Sequence, residues 1–389
     1  MEERKMIYLC LAHMSEAGIE QKYVKEAFDT NWVVPMGPNV NAFEKDLEAF
    51  ANSKSDGTEP LDRKVVCLSA GTAAVHLALI GCGVKAGDEV LVQSFTFCAS
   101  SHPITYLGAK PVFVGSEDET WNMDPALLEK AIIDRKEKTG KYPKAIVPVA
   151  LYGMPYRIDE IMAIANRYGI PVLEDAAEAL GSTYKGQCCG TFGEYGVLSF
   201  NGNKMITTSG GGALVTPTDE AKKRVMFYAT QARENAPHYQ HEEIGYNYRM
   251  SNICAGIGRG QMYVLDEHIE HRRRVHELYT ELLKDVDGIT VMQRPSDEYN
   301  SNFWLTCILI DSKKTGFDRE DLRIRMDENQ IETRPLWKPM HLQPVFANVP
   351  MYVNGVSEAL FNDGLCLPSG PMCADDDIRR VVDVIKNYK

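Results

Sequence analysis

The chain has 389 residues, of which 44% are hydrophobic, so it is long enough to bury a full core and to form two subdomains. Its 54 Asp and Glu residues outnumber its 42 Lys and Arg residues, which gives a net charge of −12 at pH 7. This acidic balance argues against nucleic acid or an anionic membrane surface as a partner, so an anionic ligand would have to bind at a local positive site.

The ten cysteines are scattered, apart from the adjacent Cys188 and Cys189, and they form no Cys-x-x-Cys motif. In a chain of this length such spacing is typical of a reduced protein without a disulfide framework. No stretch approaches 18 apolar residues, and residues 1–5 do not begin an apolar signal segment. We therefore expect a soluble cytoplasmic protein with no bound metal.

Apolar runs alternate with helical patterns from about residue 60 to about residue 235. Such alternation is typical of a mostly parallel sheet with crossover helices, so the sequence predicts an α/β fold. The predicted strands are 89–95, 110–114, 145–151, 170–174 and 197–200, and two of the predicted helices are 125–133 and 158–168.

The first candidate site lies where an apolar run at 65–68 turns through Ser69-Ala70-Gly71-Thr72 into a helix rich in Ala and Leu. The free amides and the dipole of the helix start, together with a hydroxyl group, favour a bound phosphate. The turn is not a P-loop, because no Gly-Lys-Ser/Thr follows it. Many strand–helix turns in α/β proteins share this composition, so the turn alone does not establish a phosphate site.

The second candidate is Asp175, which follows the apolar run that ends at Glu174. Ligands of open α/β sheets bind at the carboxyl ends of the strands, where this side chain would project. A buried carboxylate needs a partner, and a protonated pyridine nitrogen would keep it ionised. The alternative is an aspartate that only caps the following helix.

The third candidate is Lys204, which follows Ser199 by five positions and precedes three glycines at 210–212. Its neighbours are apolar or small, so nothing nearby would pair with its ammonium group. A buried lysine can act as a nucleophile or base, whereas the alternative is a structural or solvated lysine at a strand end. The three motifs together suit a phosphorylated pyridine aldehyde, with its phosphate at Thr72, its ring nitrogen at Asp175 and its aldehyde carbon bonded to Lys204 as a Schiff base.

The segment from 251 to about 284 is polar-periodic and free of proline, which predicts one long helix joining two domains. A strand at 303–310, a helix at 318–329 and a last helix from Ala374 predict a smaller C-terminal α/β domain. We expect residues 1–255 to form the large cofactor-binding domain and residues 256–389 to form the linking helix and the small domain. The first 30 or so residues are candidates for packing on the small domain.

The order and spacing of these motifs resemble the fold-type I pyridoxal-phosphate enzymes, specifically the nucleotide-sugar aminotransferase family, over nearly the whole chain. Segments 94–97, 174–177, 199–204 and 245–251 fall where that family has its motifs. Within the family the chain looks closest to the UDP-sugar 4-keto aminotransferases of the bacillosamine pathway, on segments 195–212, 230–235 and 331–338. Many members have Gly-Glu-Gly-Gly where this chain has Ser-Gly-Gly-Gly at 209–212, a variant shared by the bacillosamine-type enzymes.

The resemblance implies pyridoxal 5'-phosphate as the cofactor, held by Lys204 and by Asp175. It places Phe97 against the cofactor ring, and it places Glu178 either under the phenolic oxygen edge of the cofactor or only at a helix cap. The phosphate contacts that it implies are Gly71, Thr72, Ala73 and the hydroxyl group of Ser199.

The resemblance also implies a homodimer with shared active sites, in which Asn247 reaches the cofactor or the substrate of the neighbouring subunit. Arg249 and Arg334 are candidates for binding either the carboxylate of the amino donor or the pyrophosphate. The loop from Trp337 to His341 is either a nucleotide-sugar contact or an ordinary loop. The substrate contacts that the resemblance suggests are Trp32, Asn247, Arg249, Trp337, Lys338 and His341.

The implied reaction moves an amino group from glutamate to the 4-keto carbon of a UDP-linked 2-acetamido-2,6-dideoxyhexulose, which gives a UDP-4-amino-4,6-dideoxy sugar. One alternative is the same chemistry on another ketosugar, such as a 3-keto or GDP-linked one. A family member that dehydrates its substrate would lack the lysine, so Lys204 counts against that alternative. The remaining alternative is a cofactor-free regulatory or binding protein with the same fold.

Overall fold

The computed structural model describes residues 5–54 and 58–388. Residues 1–4, 55–57 and 389 lie outside this description. They include most of the N-terminal stretch 1–5, the first residues of the predicted domain 1–255 and the last residue of the predicted domain 256–389. The helices are α1 Ile19–Asp29, α2 Pro38–Asn52, α3 Gly71–Gly81, α4 His102–Tyr106, α5 Pro125–Thr139, α6 Ile158–Tyr168, α7 Asp219–Ala229, α8 Asn252–Met262, α9 Leu265–Leu283, α10 Ser312–Thr315, α11 Arg319–Glu328, α12 Val356–Asp363 and α13 Asp375–Lys386. The strands are β1 Lys64–Leu68, β2 Glu89–Gln93, β3 Lys110–Val114, β4 Ala145–Val147, β5 Leu173–Asp175, β6 Thr183–Tyr184, β7 Gln187–Cys188, β8 Tyr195–Ser199, β9 Gly212–Thr216, β10 Ile289–Val291, β11 Tyr299–Asn300, β12 Thr306–Ile310, β13 Arg334–Pro335, β14 Met351–Tyr352 and β15 Gly364–Leu367.

The large sheet is mostly parallel, which confirms the predicted fold class. Four strands are ordered β1-β9-β8-β5 and four are ordered β14-β3-β2-β4. Two parallel bridges, Ile146 to Val172 and Val149 to Asp175, join β4 to β5 and make the two sets continuous. Only β9 runs against its neighbours, β1 and β8.

Helices cover both faces of this sheet, because its central strands are apolar on both sides. In β2, for example, Val90 and Val92 pack in one hydrophobic cluster while Leu91 packs in another, and all three side chains are fully buried. The carboxyl ends of β1, β2, β4, β5 and β8 lie at one edge of the sheet, since these strands run in the same direction. That edge is where α/β sheets bind their ligands.

The C-terminal half contains a second, smaller sheet, which is antiparallel and has the strand order β10-β12-β15-β13. Its core includes Tyr279 from α9, Leu322 from α11 and Val381 from α13. Ile7 forms a parallel bridge with Ile331 beside this sheet, whereas the two-residue strand β14 joins the edge of the large sheet next to β3. The predicted domain boundary near residue 255 stays a prediction.

The single linking helix predicted over 251–284 is wrong, because the structure has two helices there, α8 and α9. Val264 leaves helical geometry, with φ −112° and ψ 5°, and its amide bonds to the carbonyl oxygen of Gln261, three residues earlier. Glycines hold α8 close to the N-terminal helices, since a Cβ at Gly258 would lie 2.6 Å from the Phe43 ring. The chain therefore packs α8 on α1 and α2 before it turns towards the small sheet.

All ten cysteines are free thiols. Within the described ranges, no group of three or more His, Cys, Asp or Glu side chains could hold a metal ion. None of the helices in those ranges is both long and apolar enough to cross a bilayer.

Candidate active site

A cavity of about 390 Å³ lies at the carboxyl edge of the large sheet. All three motifs singled out in the sequence reach it, through Thr72, Asp175 and Lys204. Phe97, Glu178 and Ser199 also line it. The strand ends of β5 and β8 therefore bring together residues that are up to 132 positions apart in the chain, from 72 to 204.

The start of α3 forms one side of the cavity and is suited to an anion. Its N-cap residue, Ala70, is extended and has no side chain that could bond the first helical amides. A Cβ at Gly71 would lie 3.3 Å from Ser199 Oγ, and a Cβ at Gly212 would lie 2.4 Å from the amide nitrogen of Gly71. The two glycines therefore keep space around that amide, beside the Ser199 hydroxyl group, where a helix start favours a phosphate. Ala73 is buried one residue further along α3 and does not line the cavity.

Asp175 ends β5 and is buried, with 5% of its surface exposed. Its Oδ2 accepts a hydrogen bond from Ser100 Oγ at 2.6 Å, and its Oδ1 accepts one from the Ala177 amide at 3.2 Å. Burial raises the pKa of the Asp175 carboxyl group, although the Ser100 and Ala177 hydrogen bonds and the Lys204 charge oppose that rise. A cationic partner at this position would stabilise the ionised form.

Lys204 forms a buried ion pair with Glu178. The Lys204 Nζ to Glu178 Oε1 distance is 3.2 Å, and the two side chains are 12% and 5% exposed. The second oxygen of Glu178, Oε2, accepts a hydrogen bond from the Tyr152 amide at 2.7 Å. Burial raises the pKa of the Glu178 carboxyl group, and the positive charge of Lys204 lowers it. A helix cap alone does not account for these contacts of Glu178, since its carboxylate accepts a hydrogen bond from an amide 26 positions earlier in the chain.

Three residues of the site were missed by the sequence analysis. Trp304 lies under Lys204, with Nζ 4.1 Å from the ring centroid. The Tyr152 ring is nearly parallel to both Trp304 and Trp337, at centroid distances of 6.4 Å each, and its hydroxyl oxygen accepts a hydrogen bond from the Trp337 amide at 2.9 Å. Ser100 is the third, and its position three residues after Phe97 was the one signal that could have found it.

Phe97 and Trp337 both line the cavity, and their ring centroids are 5.2 Å apart. Arg334 lines a neighbouring cavity of about 490 Å³ that shares Trp304 and Trp337 with the first one, and its guanidinium pairs with Glu332 at 2.6 Å. Trp304 and Trp337 therefore line both cavities, with Lys204 on the first and Arg334 on the second.

The structure of one chain does not bring the other predicted substrate contacts to the cavity. Trp32 is 40% exposed beyond α1, and Asn247 is an exposed residue whose backbone bridges Thr230. Arg249 and Lys338 are likewise absent from the cavity wall.

His341 does not line the cavity either, because both of its ring nitrogens have partners in the protein. Nδ1 lies 2.6 Å from Ser94 Oγ, and Nε2 lies 3.0 Å from Glu358 Oε1. The side chain is buried and connects the loop after β13 to the end of β2 and to α12.

The donor set of the cavity fits pyridoxal phosphate. A helix start with a neighbouring hydroxyl group can hold the phosphate, Asp175 can face a protonated ring nitrogen, and Lys204 supplies an amine. The exposed ring of Phe97, at 48%, offers a flat apolar face within the same cavity.

Comparison with known proteins agrees with this chemistry. The sequence profile of the DegT/DnrJ/EryC1/StrS aminotransferase family matches residues 15–386. The chain is 47% identical over 385 residues to the putative pyridoxal phosphate-dependent aminotransferase EpsN of Bacillus subtilis (strain 168), with 98% of this chain and 95% of that protein covered. It is 34% identical over 383 residues to the GDP-perosamine synthase of Escherichia coli O157:H7, with 98% and 99% covered.

The fold agrees with a solved structure of the same family. The crystal structure of a DegT DnrJ EryC1 StrS aminotransferase from Brucella abortus matches with a TM-score of 0.87 at 28% identity, and 96% of this chain and 95% of that chain are covered. Together with the profile match, these similarities show that the chain belongs to the DegT/DnrJ/EryC1/StrS family of sugar aminotransferases, which are pyridoxal-phosphate-dependent enzymes of fold type I.

Proposed function

We propose that this enzyme transfers an amino group from glutamate to the 4-keto carbon of a UDP-linked 2-acetamido-2,6-dideoxyhexulose, which gives a UDP-4-amino-4,6-dideoxy sugar. The observation that carries the aminotransferase chemistry is the cavity in which Lys204 Nζ, the Asp175 carboxylate and the start of α3 face one ligand space. The choice of the 4-keto UDP sugar rests on the resemblance to the bacillosamine-type enzymes, including Ser-Gly-Gly-Gly at 209–212. The amino sugar formed is then a precursor for glycan biosynthesis.

In this mechanism each polar group of the cavity has one task. Pyridoxal phosphate, when bound, supplies a ring that accepts the electron pair released when a carbon–hydrogen bond breaks. The Gly71 and Thr72 amides and the Ser199 hydroxyl group hold the phosphate, and Asp175 keeps the proton on the ring nitrogen. Lys204 Nζ removes the α-proton of glutamate and later delivers a proton to the sugar carbon.

The aromatic wall orients the sugar and excludes water. This wall consists of Phe97, Trp304 and Trp337, which line the cavity, and of Tyr152, which packs against both tryptophans; the centroid distances are between 5.2 and 6.4 Å. A hexose ring has apolar faces that pack on such rings.

We also propose that a second copy of this chain completes the site, as a cytoplasmic homodimer. Asn247 and Trp32 lie outside the cavity of their own chain, and large apolar side chains near them are exposed: Ile244 is 84% exposed, Tyr239 is 77% exposed and Val33 is 49% exposed. Exposed apolar side chains of this size are suited to burial in an interface with a second chain. In the dimer, Asn247 would serve the cofactor or the substrate of the neighbouring subunit.

The test of the substrate is mass spectrometry of the product formed from glutamate and a panel of ketosugars. We expect a UDP-4-amino sugar and 2-oxoglutarate in equal amounts, and no product with Lys204→Ala protein as the control. The panel includes a GDP-linked 4-keto sugar, because the Escherichia coli relative at 34% identity is a GDP-perosamine synthase. Turnover of the GDP sugar alone would assign the enzyme to GDP sugars, and turnover of a 3-keto sugar alone would exclude the proposed position of amination.

A further inference from the structure

Two buried carboxylates face the cavity from one segment of the chain, and their surroundings differ. Both oxygens of Asp175 accept hydrogen bonds from uncharged donors, Ser100 and the Ala177 amide. Glu178 has one oxygen fixed by the Tyr152 amide, so that its other oxygen, Oε1, is directed at the Lys204 ammonium group at 3.2 Å. Among the described residues, Glu178 is the only carboxylate that pairs with Lys204.

The other side of the ammonium group is covered by an aromatic ring that is held firmly in place. Trp304 Nε1 donates to the Asn203 carbonyl oxygen at 2.7 Å, and the Trp304 carbonyl oxygen accepts from Arg272 at 2.6 Å. The ring centroid lies 4.1 Å from Lys204 Nζ. Water is therefore a poorer proton acceptor for this ammonium group than the carboxylate beside it.

We propose that Glu178 is the proton acceptor and donor for Lys204 during the reaction. The proton moves from Lys204 Nζ to Glu178 Oε1, so that one N–H bond breaks, one O–H bond forms, and the pair becomes a neutral amine beside a neutral carboxyl group. The same proton returns along the same hydrogen bond. This inference rests on the proposed role of Lys204 as the amine that holds the cofactor and moves protons.

The environment favours this exchange because burial penalises the charged form of Glu178. In water the pKa of an ammonium group is about six units higher than that of a carboxyl group, so the proton stays on the amine. Removal from water destabilises a carboxylate and an ammonium group together, and the neutral form of the pair avoids both costs. Burial raises the pKa of Glu178 and the nearby Asp175 charge adds to that rise, while the Lys204 charge and the Tyr152 amide oppose it.

The other titratable groups that face the pair do not replace Glu178. The Tyr152 phenol and the Cys307 thiol stay neutral, because burial raises the pKa of each well above its ordinary value. Arg272 contacts the Lys204 carbonyl oxygen at 3.4 Å and is a permanent cation. His268 faces the Met205 carbonyl oxygen at 3.4 Å, and burial lowers its pKa.

The exchange has a distinctive pH dependence. While the pair holds one proton in total, the share of molecules with that proton on Glu178 is fixed by the pair and not by the solution. The unprotonated amine of Lys204 is then equally abundant over the range of pH in which this form outnumbers the pair that holds no proton. Without such a partner, the unprotonated form of an amine becomes tenfold more abundant with each unit by which the pH rises, as long as the pH stays below the pKa of that amine.

The experiment is competitive labelling of the full-length, cofactor-free protein with trace deuterated acetic anhydride, which acetylates only unprotonated amines. Peptide mass spectrometry measures the rate at Lys204 and at Lys110, an exposed lysine of β3, from pH 6 to pH 8. We expect the wild-type rate at Lys204 to change less than about threefold while the rate at Lys110 rises about 100-fold. In Glu178→Gln protein we expect the rate at Lys204 to rise steeply as well.

Glu332→Gln is the matched control, since Glu332 lies on the neighbouring cavity and its charge pairs with Arg334 rather than with Lys204. Its Lys204 profile should stay as flat as that of the wild type. If Glu178→Gln does not fold, Glu178→Asp gives the same steep profile, because the shorter side chain withdraws the carboxylate from Nζ.

Two outcomes would overturn the proposal. A tenfold rise per pH unit in the labelling rate at Lys204 of the wild type would mean that Glu178 is only a counter-ion. Flat profiles in the wild type and in Glu178→Gln protein alike would mean that burial alone keeps the lysine unprotonated. Borohydride mapping of the cofactor is a separate readout, so a failure of the proposed function at Lys204 can be told apart from a failure of the proton exchange.

Discussion

The cofactor side and the substrate side of the site differ in how far a single chain builds them. On the cofactor side, Thr72, Asp175 and Ser199 sit at the ends or starts of regular elements and all line the cavity. On the substrate side, Trp32 and Asn247 belong to irregular segments and lie outside it. Strand ends in a packed sheet fix side chains firmly, whereas loops can become ordered when a second chain or a ligand binds.

The difference suits an enzyme family that keeps one chemistry and changes its sugar. The cofactor side has to hold the same charges in every member, so its residues lie within the fold core. The substrate side can vary without disturbing that core. Changes to the charged groups of the cofactor side should therefore reduce turnover most strongly, while changes on the substrate side should depend on the partner chain and on the sugar.

The largest effect is expected for Lys204→Ala, which removes the only amine that the described part of the chain contributes to the cavity wall. Turnover should be lost completely, and borohydride reduction of the wild type followed by peptide mapping should place a pyridoxyl group on Lys204. Lys110→Ala is the control and should keep full activity, because Lys110 is exposed on β3. A pyridoxyl group found on any other lysine would overturn the assignment of the cofactor side.

Asp175→Asn should reduce turnover by at least ~10²-fold, because an amide cannot hold the proton on the ring nitrogen as a carboxylate does. Steady-state rates with glutamate and the keto sugar measure this loss. Asp159→Asn is a suitable control, since Asp159 pairs with Lys185 at the surface. Full activity in Asp175→Asn protein would mean that another carboxylate, such as Glu178, holds the ring proton.

The substrate side is tested by mixing two inactive chains, Lys204→Ala and Asn247→Ala. In a mixed dimer one site combines the intact Lys204 of one chain with the intact Asn247 of the other, and the second site carries both defects. Random mixing gives about half mixed dimers, so roughly a quarter of wild-type activity should return. Co-expression ensures subunit exchange, and the rate of each variant alone is the baseline.

Mixed dimers that stay inactive, although both parent dimers are folded, would show that Asn247 acts within its own chain. The contrast between the two sides of the site would then have to be explained without a second subunit. A dimer of Asn247→Ala chains that retains activity would remove the residue from the shared site altogether.

Much of the fold could be predicted because local patterns and the final structure agree. The strand 110–114 and the helix 158–168 match β3 and α6 to the residue, since each is a clean apolar or amphipathic run bounded by turn residues. The predicted strand 145–151 ends early, at Val147, because Leu151 to Gly153 form a turn in which Tyr152 adopts a positive φ of 53°. Pro148 and Gly153, whose φ is 89°, are the local signals of that strand end and turn.

The candidate site shows the same limit. The position of Thr72, Asp175, Ser199 and Lys204 at one edge of the sheet was predictable, because each lies at or after the end of a strand, while their roles stay predictions. The contacts of Trp304 with Lys204 and Tyr152 could not be predicted, since they join segments about 100 and 150 residues apart through tertiary packing. The break between α8 and α9 also depends on packing, in that case against α1 and α2.

The smallest effect is expected for Ser100→Ala, which removes one hydrogen bond from the Asp175 carboxylate and leaves its charge in place. Because this bond favours the ionised form, its loss should raise the pKa of Asp175 further above its ordinary value, in the direction that burial already drives it. Activity needs the ionised form, which is present above that pKa. The acidic limb of the pH profile of kcat/KM should therefore move to higher pH by about one unit, since a hydrogen bond to a charged group contributes about 1.5 kcal/mol.

The alkaline limb should stay where it is in Ser100→Ala protein, because Asp175 is fully ionised there. Ser101→Ala is a closely matched control: its hydroxyl group is equally buried but donates to the Cys98 carbonyl oxygen at 3.2 Å rather than to Asp175. Superimposable profiles for both variants and the wild type would mean that Ser100 does not tune Asp175. A shift confined to Ser100→Ala would show that the cofactor side is adjusted by single hydrogen bonds within one chain, as its position in the sheet core leads us to expect.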